Sequence, residues 1–159
     1  AFAGCGVTSI EIPNAVTKIE NGAFAGCGVT SIEIPNAVTK IENGAFAGCR
    51  GLTSIEIPNS VTKIGNCAFS GCTGLTSIKI PNAVTKIENG AFAGCRGLTS
   101  IEIPNSVTEI GNRAFAGCGV TSIEIPNAVT KIENGAFAGC GVTSIEIPNA
   151  VTKIENGAF

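Results

Sequence analysis

Cysteine and glutamate are the residues of this chain best suited to chemistry, and both recur at nearly constant intervals. The chain has no histidine and no Cys-x-x-Cys pair, so the ligands that a zinc site needs do not converge on one point. If the repeated segments stack on one another, equivalent cysteines point in the same direction, which is poor geometry for a disulfide. We therefore expect no metal and no cofactor, but free thiols packed as small apolar side chains at Cys5, Cys27, Cys49, Cys72, Cys95, Cys118 and Cys140.

Cys67 lies outside this series. It stands where one repeat has Arg113 and where others have glycine, as at Gly22, Gly44 and Gly90. A position that accepts such different side chains is expected to be exposed, and exposure is what makes a thiol reactive. We predict an exposed free thiol, with a bridge to Cys72 as the alternative.

Glutamates form a second series beside alternating isoleucines, and Lys79 replaces one member. Equivalent carboxylates without histidine or aspartate are not a general acid–base pair, so we predict that the protein is not an enzyme. We expect Lys79 to neutralise Glu56 and Glu102. The series is either a solvated stripe or a face for a cationic protein partner. The candidate binding residues form the Ser/Glu/Lys face: Glu33, Ser54, Glu56, Ser77, Lys79, Ser100, Glu102 and Glu124.

A third series places lysine and glutamate on either side of another isoleucine. Opposite charges at such spacing largely cancel, and exposed pairs are worth little each, so we expect an inert surface. This Lys/Glu face comprises Lys18, Lys40, Lys63, Lys86, Glu109, Lys131 and Lys153 together with Glu20, Glu42, Glu88, Glu133 and Glu155.

A repeat that runs through the whole chain places all of these residues. Phenylalanine recurs every 22 or 23 residues from Phe2 to Phe159, and segments 1–22, 23–44, 114–135 and 136–157 are identical. A period of this length is typical of a solenoid, in which each coil packs only on its neighbours. We predict a single array over residues 1–159, of about seven coils and without capping repeats.

One coil can be followed from Leu52 to Cys72. Residues 54–57 alternate polar and isoleucine side chains, which predicts a strand with one buried face. Pro58-Asn59 predicts a turn, and residues 62–64 a second short extended segment. Residues 68–72 are too few for an independent helix and are expected to make a tight turn that buries its phenylalanine.

Two asparagine series lie at the turns, one represented by Asn14 and the other by Asn21. They either hydrogen-bond along the stack or serve only as good turn residues. The sequence favours neither interpretation.

Composition narrows the range of partners. Ten basic and 12 acidic side chains give a net charge of −2, which argues against nucleic acid, because phosphate binding needs a basic surface. No apolar run approaches the roughly 20 residues that a membrane-spanning helix requires. Small polar and hydrophobic side chains dominate, and 44% hydrophobic residues are enough to fill a core.

The pattern Leu-x-x-Ile-x-Ile-Pro-x-x-Val-x-x-Ile-Gly-x-x-Ala-Phe-x-x-Cys, from Leu52 to Cys72, closely resembles the BspA-like (Treponema pallidum-type) leucine-rich repeat. The resemblance covers essentially the whole chain. It implies a right-handed solenoid with a parallel β-sheet on the concave side, short second strands, tight turns and little or no α-helix. It also implies a surface-exposed or secreted protein and a role in adhesion.

The chain departs from the family pattern in three ways. Its outer coils are one residue short, several coils carry glutamate where the family prefers the glycine seen at Gly65, and the copies are unusually alike. The last departure argues against a diversified recognition surface.

The first and last coils are as apolar inside as the central ones, and such ends are complementary to each other. Three hypotheses follow. The chain is a segment of a structural protein that stacks head to tail into a fibre, an adhesin-type module that binds a protein through the Ser/Glu/Lys face, or a consensus or designed scaffold without a natural ligand.

Overall fold

The computed structural model describes residues 2–159 and contains no α-helix within them. Its regular elements are short strands joined by tight turns, because proline and glycine interrupt the chain every few residues. The strands are β1 (Lys18–Ile19), β2 (Lys40–Ile41), β3 (Ser54–Ile55), β4 (Lys63–Ile64), β5 (Ser77–Ile78), β6 (Lys86–Ile87), β7 (Glu109–Ile110), β8 (Lys131–Ile132) and β9 (Lys153–Ile154).

All strand pairs are parallel and join equivalent residues of successive coils. One sheet has the order β1-β2-β4, a second the order β6-β7-β8-β9, and a third contains β3 and β5. Each lysine–isoleucine strand exposes its first residue more than the isoleucine that follows, except in β9, where both are exposed. This in-register stacking confirms the prediction of a parallel solenoid.

The two strand segments of a coil form ladders whose lengths differ from those expected from the sequence. The sequence predicts a strand over residues 54–57, but within residues 2–159 the ladder of this segment contains only β3, β5 and the isolated bridges Glu33–Glu56 and Lys79–Glu102. The second segment pairs through most of the array. Its backbone bonds run backwards along the stack, as when the Glu42 amide donates to the carbonyl of Ile19 at 2.9 Å.

The phenylalanine turns hold the coils together in the opposite direction. The Phe69 amide donates to the Ala91 carbonyl of the next coil at 2.8 Å, and the Gly71 amide donates to Ala93 at 2.7 Å. Between these two amides, the Ser70 amide closes a turn by donating to the Cys67 carbonyl at 3.0 Å. Amides that bond forward therefore alternate with amides that bond within the turn, which gives the expected tight turn.

The core consists of columns of identical side chains. Consecutive phenylalanine rings lie 5.2 to 5.8 Å apart between centroids and within 12° of parallel, from Phe2 to Phe159. The predicted burial of the cysteine series is confirmed for its central members, Cys27, Cys49, Cys72, Cys95 and Cys118.

The buried thiols also link successive coils. The Cys49 thiol donates to the Phe24 carbonyl at 3.0 Å, and the same oxygen accepts the Cys27 amide at 3.0 Å. The thiol thus uses the second lone pair of a carbonyl that is already bonded once. A side chain expected only to fill space therefore makes a weak hydrogen bond between coils.

Asparagine bonds along the stack at one of its two series. The Asn66 amide donates to the Asn43 side-chain oxygen at 2.8 Å, and the Asn89 amide to the Asn66 oxygen at 3.1 Å. Within residues 2–159 no such bond joins members of the Asn14 series. The Asn21 series therefore hydrogen-bonds along the stack, whereas the Asn14 series serves only as turn residues in the described part of the chain.

Cys67 and Arg113 occupy a position where the backbone is left-handed. Their φ angles are 55° and 54°, and glycine at the equivalent positions has φ between 61° and 63°. A side chain with a β-carbon is strained in this region, whereas glycine is not. Sequence comparison between repeats predicted the exposure of Cys67, which is confirmed, but did not reveal this backbone conformation.

We predict that Cys67→Gly stabilises the fold by about 1 kcal/mol, because glycine adopts the left-handed region without the β-carbon clash. Chemical denaturation of both proteins measures the difference. Cys67→Ala is the matched control: it removes the thiol but keeps the β-carbon, and no comparable gain is expected. Equal stabilities of the glycine and alanine variants would contradict the explanation.

Candidate interaction surface

The Ser/Glu/Lys face lies on one side of the stack, at and beside strands β3 and β5. Backbone pairing places Ser54 opposite Ser77 and Lys79 opposite Glu102. Each side chain points to solvent because its isoleucine neighbours point to the core. Every predicted binding residue is exposed: Glu33, Ser54, Glu56, Ser77, Lys79, Ser100, Glu102 and Glu124.

The charges of this face have no partner within the described chain. None of its glutamates joins an ion pair in residues 2–159, and Lys79 pairs with neither Glu56 nor Glu102. The expected neutralisation through direct contact is therefore not found. Like charges about 5 Å apart cost about 1 kcal/mol or less in water, so the column is tolerated while it stays solvated.

Part of this face borders an open groove of about 980 Å³. Its polar lining comes from serine, glutamate and asparagine columns of successive coils: Ser9, Ser31 and Ser54, Glu11, Glu33 and Glu56, and Asn14 and Asn36. Lys79 does not line it, so this groove is acidic along its length. A smaller groove of about 400 Å³ lies beside Glu102.

The Lys/Glu face differs because its charges are paired. Glu42 contacts Lys18 at 3.5 Å and Lys63 at 3.0 Å, so one carboxylate bridges lysines of the coil before it and the coil after it. The Lys63 ammonium lowers the pKa of Glu42 by its hydrogen bond and charge, with Lys18 adding to the effect. The prediction of a charge-balanced surface is consistent with these contacts.

Glu133 is the most buried charged side chain, with a relative exposure of 8%. One carboxylate oxygen bonds Lys131, and the other accepts the Asn112 amide at 3.1 Å and the Asn112 side-chain nitrogen at 2.7 Å. The Lys131 ammonium lowers the pKa of Glu133, and the Asn112 amide lowers it further. Nothing in the sequence distinguished this glutamate from its copies.

Gly65 and Gly111 stand where the other coils have glutamate, and the structure explains this exchange. A β-carbon on Gly65 would lie 2.7 Å from the Asn43 amide nitrogen, and one on Gly111 would lie 2.8 Å from the Ile87 carbonyl oxygen. These coils approach the preceding backbone too closely for the glutamate present in other coils. The glycine-for-glutamate exchange was visible in the sequence, but the close approach was not.

The buried thiols are poor nucleophiles because burial disfavours the thiolate. Burial raises the pKa of Cys49 to about 11 and that of Cys72 to about 12. Because the thiolate is the reactive form, these side chains are inert at neutral pH. Residues 2–159 contain no group of three or more histidine, cysteine, aspartate or glutamate side chains that could hold a metal ion.

Comparison with protein families gives a match over the whole chain. The model of the BspA type leucine rich repeat region matches residues 1–121 and 85–159, in six copies. No curated protein gives a significant match.

Three solved structures share the fold. A leucine-rich repeat protein from Bacteroides ovatus is 36% identical with a TM-score of 0.89, over 94% of this chain and 39% of the other. One from Eubacterium ventriosum is 30% identical with a TM-score of 0.85, over 96% and 42%. The T. pallidum leucine rich repeat protein is 28% identical with a TM-score of 0.83, over 93% and 73%. The chain thus spans about two fifths of the first two proteins.

We predict that Glu133→Gln lowers the free energy of unfolding near neutral pH. We also expect the stability of the variant to fall less steeply than that of the wild type as the pH is lowered. The pKa of Glu133 lies below its ordinary value of 4.5, so its ionised form stabilises the fold above that pH. This contribution is lost as the pH falls from about 4.5 through the lower pKa of the folded state. Melting temperatures of both proteins across this range measure the effect, and the two curves should converge in acid.

Glu124→Gln is the control for this prediction. It makes the same substitution on a carboxylate that joins no ion pair in residues 2–159, and its acid dependence should follow that of the wild type. A destabilisation by Glu133→Gln that is equal at every pH would show that the ionised carboxylate is not responsible.

Proposed function

The chain belongs to the BspA-type leucine-rich repeat family, and from this premise we propose that it is a non-catalytic scaffold that binds a cationic protein partner through the Ser/Glu/Lys face. The observation that carries the proposal is the contrast between the two charged faces. Eight ion pairs join members of the Lys/Glu face, whereas none joins members of the Ser/Glu/Lys face within residues 2–159. Unpaired charge is what a partner can complement.

The backbone supports this use because it holds the face in a fixed geometry. Parallel pairing sets the spacing of Ser54 and Ser77, and of Lys79 and Glu102. A preformed surface loses little conformational entropy when a partner binds. The buried isoleucines behind the face anchor each strand in the core.

The expected partner follows from the order of charges along the column. Glu11, Glu33 and Glu56 offer three successive carboxylates beside the larger groove, and Lys79 then reverses the sign. A partner surface with a row of lysine or arginine side chains, ended by an acidic one, is complementary. Lys79 would fix the register of that partner, because a shifted register would place like charges together.

We also propose that the protein acts outside the cell or at its surface, as the family resemblance implies. No helix in residues 2–159 is long and apolar enough to cross a membrane. Detection of the protein on intact cells with an antibody, with and without surface proteolysis, would test this location.

We predict that the triple variant Glu11→Gln, Glu33→Gln, Glu56→Gln weakens binding of a lysine-rich peptide about tenfold. Exposed charge pairs contribute roughly 0.2–1 kcal/mol each, and three of them amount to about a factor of ten in affinity. Fluorescence anisotropy with a labelled peptide measures the change, and affinity should also fall as salt is added.

The matched control makes the same three-charge change on the Lys/Glu face, at Glu20, Glu88 and Glu155. Both variants alter the net charge equally, so a purely non-specific attraction would be reduced equally in both. Equal losses would reject the Ser/Glu/Lys face as the binding surface. Thermal unfolding of each variant separates loss of binding from loss of fold.

A second candidate function is head-to-tail self-association. A coil side without a neighbour exposes apolar side chains, as Phe2 at 48%, Ile154 at 49% and Phe159 at 49% relative exposure illustrate. Opposite sides of a coil are complementary because each coil pairs its backbone both forward and backward. A contact of this heterologous kind propagates into a filament.

We predict that the 159-residue chain forms rods whose length grows with concentration, and that Ile154→Lys abolishes them. Lysine places a charge on the apolar side where the next copy would pack. Sedimentation velocity and electron microscopy measure the association. Lys153→Glu on the neighbouring outward position serves as the control, and a strictly monomeric wild type at high concentration would reject this candidate.

A further inference from the structure

Five asparagines of the chain are followed directly by glycine. These steps are Asn21-Gly22, Asn43-Gly44, Asn89-Gly90, Asn134-Gly135 and Asn156-Gly157. Asparagine before glycine is the sequence most prone to spontaneous deamidation, because glycine does not hinder attack of its amide nitrogen on the asparagine side chain. All five asparagines are exposed, so solvent access alone does not distinguish them.

Hydrogen bonds to the following coil hold both reacting groups at the interior steps. The Gly44 amide donates to the Asn66 carbonyl at 2.8 Å, and the Asn43 side-chain oxygen accepts the Asn66 amide at 2.8 Å. The attacking nitrogen and the attacked side chain are thus bonded to the same residue of the next coil. Reaction requires both bonds to break, which means separation of two coils.

The same arrangement recurs at the neighbouring copies. The Gly22 amide donates to Asn43 at 2.9 Å and the Gly90 amide to Asn112 at 2.8 Å. The side-chain oxygens of the preceding asparagines accept the amides of those same residues at 3.1 Å and 2.9 Å. At the fourth step the Gly135 amide donates to Asn156 at 3.0 Å.

The step Asn156-Gly157 lacks these restraints in the part of the chain that the structure describes. The Gly157 amide donates no backbone hydrogen bond, and the Asn156 side chain makes none. A β-carbon on Gly157 would have no neighbour within 4 Å, and Gly157 is exposed, unlike the other four glycines. Its φ of 61° matches theirs, so the local turn is the same and only the covering coil differs.

We propose that each asparagine–glycine step is a hydrolytic modification site controlled by the coil that follows it, and that Asn156 is the residue modified in the folded 159-residue chain. The Gly157 nitrogen loses its proton to solvent base and attacks the Asn156 Cγ. The Cγ–Nδ2 bond breaks, ammonia leaves, and a five-membered succinimide forms. Water then opens either carbonyl of the ring and leaves aspartate or isoaspartate.

The product changes the end of the asparagine ladder. Deamidation adds a carboxylate next to Glu155, which is already paired with Lys153. Isoaspartate also inserts the side-chain methylene into the backbone, which shifts the register of the Gly157 turn. A coil modified in this way is a poorer surface for stacking a further coil.

Peptide mapping tests the proposal because trypsin separates the relevant step. Cleavage after Lys153 releases residues 154–159, and cleavage around the interior copies gives residues 41–50 and 87–96 as one shared peptide sequence. The folded protein is incubated in mildly alkaline buffer at a concentration at which light scattering shows a monomer. Deamidation is followed by mass spectrometry, as replacement of the side-chain NH₂ by OH.

We expect residues 154–159 to deamidate at least about tenfold faster than the shared interior peptide, since interior reaction must wait for local opening of coils. In denaturant, where no coil covers any step, the rates should become similar. Equal rates in the folded protein, or a faster interior peptide, would overturn the proposal.

An extended chain provides the second test. Appending a copy of residues 25–46 after Phe159 continues the repeat and places a coil over Asn156. The tryptic peptide that then contains Asn156 should become as slow as the interior peptides, while the new last asparagine–glycine step becomes fast. Rapid reaction at Asn156 in a folded extended chain would show that the following coil is not the control.

Discussion

In-register pairing of each coil with its copies is the constraint on which the rest of the structure depends. In the interior of the array, paired strand residues lie next to residues at the equivalent position of the coil before and the coil after. Apolar residues gain from this arrangement, as the continuous stack of parallel phenylalanine rings shows. Charged residues do not, because identical neighbours repel. The two charged faces are two different solutions to that repulsion.

On the Lys/Glu face, lysine and glutamate columns run side by side, and every member except Lys40 joins an ion pair within residues 2–159. Glu42 contacts lysines of two other coils, and Glu133 adds hydrogen bonds from Asn112. On the Ser/Glu/Lys face, serine accompanies glutamate, and no ion pair forms within residues 2–159. Solvent alone balances the charge of that column within residues 2–159.

Much of this could be predicted from the sequence, because a repeated sequence averages out local ambiguity. The isoleucine alternation, a turn after the proline and the burial of the central phenylalanines and cysteines follow from patterns that recur in every coil. The turn is displaced by one residue from the prediction: the Val61 amide donates to the Pro58 carbonyl at 3.0 Å, so Asn59 and Ser60 are its central residues. What could not be predicted depends on differences between neighbouring coils. Glu133 is buried where it accepts hydrogen bonds from Asn112 of the preceding coil, and the left-handed backbone at Cys67 lies at a turn position that glycine occupies in other coils. Charge repulsion and close backbone approach both depend on the distances between atoms of neighbouring coils, and a repeat pattern in the sequence does not give those distances.

In-register pairing also limits the positions at which one coil can differ in sequence from its neighbours. A substitution in a core column disturbs two interfaces at once, because each coil packs on both neighbours. A substitution on a solvated column disturbs neither, provided that its charge does not add to the repulsion. Lys79 satisfies this condition: it is exposed, its backbone still pairs with Glu102, and it reverses the sign of the column at one position. In a nearly uniform array, only rare exchanges of this kind distinguish one register from the next, because identical coils present identical surfaces.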